Sequence, residues 1–177
     1  VWEPVWAGLS DQDMHGKTNN VWCVNAKLLR DRGIDPYAVW IRRCREKGVS
    51  PWLTMRMNDV HFVSITNYFR NMTFWRTHPE LWRCPDYFAT RKGDWERAAF
   101  DYAHREVRDY HLALVRELLE RYDPDGFELD WMRFARHLRP GREKEDAHFL
   151  TDFIRDARKL TRAAAARRGH PVRLGVR

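Results

Sequence analysis

Residues 122 to 134 read YDPDGFELDWMRF, a tight turn followed at once by a short run in which apolar and polar side chains alternate. Asp123, Pro124, Asp125 and Gly126 are residue types that end a helix and turn the chain. The run after them is too short for a helix, so 126–132 reads as a strand. Successive side chains on a strand point to opposite faces. Phe127, Leu129 and Trp131 therefore share one face, and Glu128, Asp130 and Met132 share the other. One face has to be buried against other elements while the other has to accommodate two carboxylates, which narrows the folds open to the chain.

The same helix, turn and strand succession occurs on either side of this segment. Asp35 is placed to cap a helix that begins at Pro36, with Ala38, Ile41 and Cys44 at helical spacing and Gly48 closing it before Pro51. Trp40 on the same helix reads as a core residue. A strand over 51–58 follows, with Trp52, Thr54, Arg56 and Asn58 on one face and Leu53, Met55 and Met57 on the other. A long amphipathic helix runs from Trp95 to Tyr122, carrying Val107, Leu114, Val115, Leu118 and Leu119. A third spans Glu143 to Arg168 and stops at Gly169 and Pro171, after which VRLGV opens a last strand.

Alternating helices and strands indicate parallel strands with helical crossovers, and no low-complexity linker divides them, so residues 1–177 are expected to form a single domain. A doubly wound sheet is covered on both faces and reads as continuous apolar runs. The alternation here favours a closed barrel whose polar residues point inward near the catalytic end. The expected fold is α/β, part of a (β/α)8 TIM barrel with roughly the first four strands. Long loops over 7–34 and 59–94 would follow strands one and two, where barrel folds build their active sites.

With that parity, Arg56, Asn58, Glu128, Asp130 and Arg173 line one interior. Asp130 lies at the C-terminal lip of its strand, where a carboxylate meets substrate, and is the first candidate for catalysis. Glu128 is the second catalytic candidate, but it lies one pleat deeper, where an ion pair with Arg56 or Arg173 would make it structural. Asp59 and His61 just past their strand could serve acid–base work or hydroxyl binding, and Arg133 adjoins the key carboxylate. Trp6 and His15 in the first long loop could shape a groove, and Trp75 in the second could offer its indole to a sugar ring. Trp131 has the outward parity of a core residue.

Nine tryptophans in 177 residues raise the expectation of a saccharide groove, since indole faces stack on sugars as readily as they fill cores. The formal charge of +7 rests on 26 Arg and only 6 Lys, scattered among acids such as Glu106, Asp109, Glu117 and Glu120. That pattern describes a solvated surface better than a nucleic-acid face, and no nucleic-acid-binding motif is present. Cys23, Cys44 and Cys84 are odd in number and unpaired in spacing, which points to neither disulfides nor a zinc site. No metal and no cofactor are expected. No run approaches the length of a membrane span. The chain starts at Val1 in apolar sequence and looks cut at both ends; a signal peptide ahead of Val1 would make the protein secreted or periplasmic.

The run FDYAHREVRDY, continuing through LVRELLERYDPDGFELDWMRF, resembles the signature of the glycosyl hydrolase-like family 10 group and related (β/α)8-barrel glycosidases. Residues 36–58 resemble that group's preceding unit and HPELW its intervening loop, so the likeness covers most of residues 35–177. The resemblance implies polysaccharide or oligosaccharide hydrolysis, with Asp130 matching the Asp that closes the third-strand motif and Val1 to Trp6 as the end of the first strand. The common pattern has a second acid and an aromatic after that Asp; here Trp131, Met132 and Arg133 follow, which leaves the role of Asp130 open between nucleophile, general acid or base, and hydroxyl binder. Glu128 and Asp130, at i and i+2, make a poor catalytic pair. The partner of Asp130 is expected on a later strand, and the chain alone is expected to be inactive. The alternative is a non-catalytic carbohydrate-binding barrel.

Overall fold

A computed structural model describes residues 21–64, 68, 71–90 and 95–177, so Trp6 and His15 lie outside the described residues. The elements are α1 (Val21–Asp31), α2 (Pro36–Glu46), β1 (Trp52–Arg56), α3 (Thr73–Thr77), α4 (Tyr87–Thr90), α5 (Arg105–Arg121), β2 (Gly126–Asp130), α6 (Glu143–Arg168) and β3 (Arg173–Val176), with short 3-10 turns at Pro79–Leu81 and Trp95–Ala98. The Asp35 carboxylate accepts from the backbone N–H groups of Tyr37 and Ala38 and so caps α2, with Pro36 in the first turn. Glu143, Glu145 and Asp146 open α6, Arg167 and Arg168 close it, and each set of charges suits its end of the helix dipole. Gly169, at φ 73°, takes the left-handed turn that releases the chain toward β3.

The three strands are parallel in the order β1-β2-β3. Leu53 stands opposite Phe127 and Arg56 opposite Asp130, while Phe127 stands opposite Leu174 and Glu128 opposite Gly175. The apolar parity read from the sequence is the packed face. Phe127 and Leu129 are fully buried, and they share one hydrophobic cluster with Leu53 and Met57, with Val107, Val115 and Leu119 of α5, and with Phe153, Ala157 and Ala164 of α6.

The expected barrel is not what these strands make. Among the described residues they form a three-stranded open sheet, and its second face carries exposed Trp52, Thr54, Arg56 and Arg173. Alternating apolar and polar residues signal only that one face is covered and the other is not, and an open sheet packed on one side satisfies that as well as a closed barrel does. The Trp52 indole lies across this second face. A Cβ at Gly126 would come within 2.4 Å of the ring, and one at Gly175 within 3.0 Å, so both glycines leave room for it.

Three further expectations change, the first being that Val21–Asp31, inside the expected loop over 7–34, form helix α1. The helix anticipated over 95–122 is broken. Phe100 instead forms an antiparallel bridge with Trp82, the Asp101 N–H donates to the Leu81 carbonyl, and the Asp101 carboxylate accepts from the Ala103 N–H, so this backbone is spent on tertiary pairing before α5 begins. Trp40 is 59% exposed with its ring edge-on to Tyr37, and does not enter the core. Among the described residues no helix is long and apolar enough to cross a membrane. Much of the arginine charge is answered on the surface, as in Arg43 with Glu46, Arg105 with Asp109 and Arg155 with Asp152.

Candidate functional site at the C-terminal edge of the sheet

In parallel α/β sheets the carboxyl ends of the strands are where ligands bind, because the loops that leave them are free to vary. Here β1 and β2 end side by side, with Arg56 in register with Asp130. Asn58, Asp59 and His61 lie just past β1, and Trp131 to Phe134 just past β2.

Asn58 is 3% exposed and wholly engaged with backbone. Its Nδ2 donates to the carbonyls of Phe100 and Arg136 at 3.0 and 2.9 Å, and its Oδ1 accepts from the Phe100 N–H at 3.0 Å. One amide thus ties the end of β1 to the segment before α5 and to the loop after β2. Nearby, the buried Tyr102 hydroxyl donates to the Met57 carbonyl. Asn58, anticipated as a substrate contact, is instead a clamp that holds the site's loops together.

Asp130 is 8% exposed. Its Oδ1 accepts from the N–H groups of Met132 and Arg133 at 3.1 and 3.2 Å, a local turn that stops β2 at residue 130 instead of 132. Its Oδ2 takes no hydrogen bond among the described residues. The carboxyl group is therefore held in one orientation through one oxygen, with the other left for a ligand. Glu128 is half-buried on the same face, and its Oε1 accepts from the Thr54 hydroxyl at 3.4 Å. The anticipated ion pair between Glu128 and Arg56 or Arg173 is not formed; Arg56 turns toward Asp59.

Four of the candidate residues are joined in one chain. Arg56 donates to Asp59 Oδ2 at 2.9 Å, while Asp59 Oδ1 accepts from the N–H and the Nδ1 of His61. Arg133 then donates from Nη2 to His61 Nε2 at 3.0 Å, which assigns the ring proton to Nδ1. Burial pushes the Asp59 carboxyl up, but the bonds from His61 and Arg56 more than reverse this and hold it below the usual carboxylate range. The result is an imidazole oriented by a carboxylate and linked to a guanidinium that approaches from the neighbouring strand end.

Trp75 does not offer a sugar platform. It is 4% exposed, its Nε1 donates to the Ala98 carbonyl at 2.7 Å, and its ring stacks on Trp82 at 4.7 Å. The exposed aromatics at this edge are Phe62 and Trp95, with Phe134 between the rings of His61 and Trp95. These three were not singled out from the sequence. The available signal was weak: aromatic residues in polar loops, next to His61 and Arg133. Among the described residues, no cluster of three or more His, Cys, Asp or Glu is arranged to hold a metal ion. Comparison with known protein families finds none that matches this chain, and comparison with curated proteins finds no match either.

Proposed function

We propose that the C-terminal edge of this sheet is the working site of a glycoside hydrolase acting on a polysaccharide or oligosaccharide, with Asp130 as its reacting carboxylate. The observation that carries the proposal is the state of Asp130: buried at a strand lip, fixed through Oδ1 by two backbone donors, and unbonded at Oδ2 among the described residues. A carboxylate with no protein partner for one oxygen, beside a polar chain of Arg56, Asp59, His61 and Arg133, suits a neutral polyhydroxylated substrate. The guanidinium groups of Arg56 and Arg133 carry N–H donors beyond those spent on Asp59 and His61 and can offer them to sugar hydroxyls, while Asp59 and Arg133 hold the imidazole between them in a fixed orientation.

Hydrolysis breaks the bond from the anomeric carbon to the leaving oxygen; water supplies hydroxyl to the carbon and a proton to the oxygen. Two carboxyl groups normally share this work. Glu128 lies on the same face as Asp130, about 7 Å away along the strand, which is wider than the roughly 5 Å of a retaining pair. Asp130→Asn tests the assignment, because an amide preserves the oxygen that accepts from Met132 and Arg133. Turnover of the cleaved glycan by the full-length protein should fall by at least about 10²-fold, with binding and folding retained. Unchanged turnover would refute the role of Asp130.

A second reading, carbohydrate binding without hydrolysis, is favoured by one feature: Asp59, the other carboxylate at this edge, is already taken up by Arg56 and His61. Calorimetry showing glycan binding with no release of reducing ends would select it.

A further inference from the structure

Beside the Asp59–His61–Arg133 chain the surface opens into a hollow of about 160 Å³ lined by Val60, Phe62, Val63, Ser64 and Trp95. Val60 and Val63 are buried and make its floor, while Phe62 and Trp95, 37% and 40% exposed, stand at its sides, the Phe62 ring backed by Tyr68, on which it stacks at 4.3 Å. Phe134 links the hollow to the polar chain. It meets the Trp95 ring edge-on at 5.0 Å and the His61 ring edge-on at 4.8 Å, and the Arg133 guanidinium sits over it at 5.0 Å.

Phe62 and Phe134 are the two non-glycine residues with positive φ among the described residues, at 66° and 58°. For a bulky side chain this conformation is strained and has to be compelled by its surroundings. Both strained residues are aromatic, and both stand at the same strand edge, next to His61 and Arg133 respectively. Neither ring is turned into the core cluster in the way Trp75 and Trp82 are; Phe134 only packs against it, and Phe62 is exposed.

We infer that this hollow is a subsite that stacks one pyranose ring of the saccharide, with Trp95 and the open side of Phe62 against the ring's C–H faces and its hydroxyls toward the Arg133 guanidinium. The inference rests on the glycan reading above and specifies where a sugar unit is held. A pyranose has apolar faces and a polar rim, and the hollow offers aromatic walls next to a row of hydrogen-bonding groups. Its volume suits a single ring, since pockets for drug-sized ligands run to roughly 300–1,000 Å³.

The test is titration of wild-type protein and variants with a panel of linear oligosaccharides, followed by calorimetry and tryptophan fluorescence. Trp95→Ala should weaken binding by about tenfold and Trp95→Phe by much less, because the second retains a ring. Ser64→Trp, an exposed position that places bulk in the hollow, should block binding and serves as the independent variant if Trp95→Ala does not fold. Wild-type affinity in both Trp95→Ala and Ser64→Trp overturns the subsite and leaves the hydrolase reading standing. Absence of any glycan binding by the wild-type protein overturns both.

Discussion

Replacing Asn58 with Ala removes three hydrogen bonds at once and leaves the N–H and carbonyl of Phe100 and the carbonyl of Arg136 without that partner. Each buried polar group left unpaired costs about 1–3 kcal/mol, the carbonyls less than the N–H, so the loss is about 3–5 kcal/mol. Against a total stability of about 5–15 kcal/mol, that is a large fraction. For a domain of this size each kcal/mol moves the thermal midpoint by about 2–4 °C, so Asn58→Ala should melt on the order of 10 °C below wild type. Urea denaturation followed by tryptophan fluorescence gives the free energy directly. Asn58→Asp sharpens the test. Its carboxylate still accepts from Phe100 N–H but now faces the two carbonyls, so its folded pKa is raised above the unfolded value. Its stability should recover as pH falls below that unfolded value, where the acid can donate, and be lost as pH rises through the folded pKa. If Asn58→Ala stays within about 1 kcal/mol of wild type and instead loses glycan affinity, the clamp argument is wrong and Asn58 contacts ligand.

Glu128→Gln should leave stability nearly unchanged, because no ion pair is lost, yet lower turnover by about 10²-fold if Glu128 is the second carboxyl; equal turnover would leave Asp130 without a partner on this strand. At the opposite end of the sheet, Asp123 accepts from Arg45, Arg168 and His170. The Asp123 bond raises the His170 pKa, so that stabilisation is full below the unfolded value of about 6.5 and is lost as pH rises through the higher folded value. Burial raises the Asp123 carboxyl but its bonds from Arg45 and His170 bring it below the ordinary value, so its share is present above about pH 4 and is lost in acid. The stability advantage of wild type over His170→Asn should therefore shrink from pH 6 to pH 8, since the opposing contribution of the buried His111 and His137, whose pKa values burial lowers, is common to both proteins; a constant difference would contradict the linkage. Gly126→Ala drives a methyl into the Trp52 indole and should cost about 1–3 kcal/mol, with most of the loss abolished in a Trp52→Ala background, as a double-mutant cycle would measure.

The parts of the fold legible from sequence were those set by local rules. Asp35 and Pro36 announce the start of α2, Gly169 announces the end of α6, and the two-residue period of FELD separates the packed face of β2 from the open one. What failed was set by partners distant in sequence. The segment 99–104 has helical residues but spends its backbone on Leu81, Trp82 and Arg83, and Trp40 has helical spacing without a core to face. Alternation along the strands reports only that one face is covered and carries no information on closure, so it does not distinguish a barrel from the open sheet that forms.

The site shows the same division. Position relative to a strand end places Arg56, Asp59, His61, Asp130 and Arg133 at one edge, because in parallel strands that edge is defined by chain direction alone. Residue type did not distinguish which of them are committed. Asn58 looks like a ligand contact, but its amide is spent on backbone; Asp130 looks like an acid in need of an Arg partner, but takes two N–H groups from its own turn. That substitution matters for chemistry. An arginine can draw both oxygens of a carboxylate into a bidentate pair, whereas the successive backbone N–H groups of Met132 and Arg133 engage one oxygen of Asp130 and leave the other available. Asn58, Asp59 and Asp130 all secure the loops that follow β1 and β2 by accepting backbone N–H groups. Backbone bonds of this kind let side-chain guanidinium groups such as Arg133 face outward, and they are what can hold Phe62 and Phe134 in a left-handed conformation that neither residue would adopt alone.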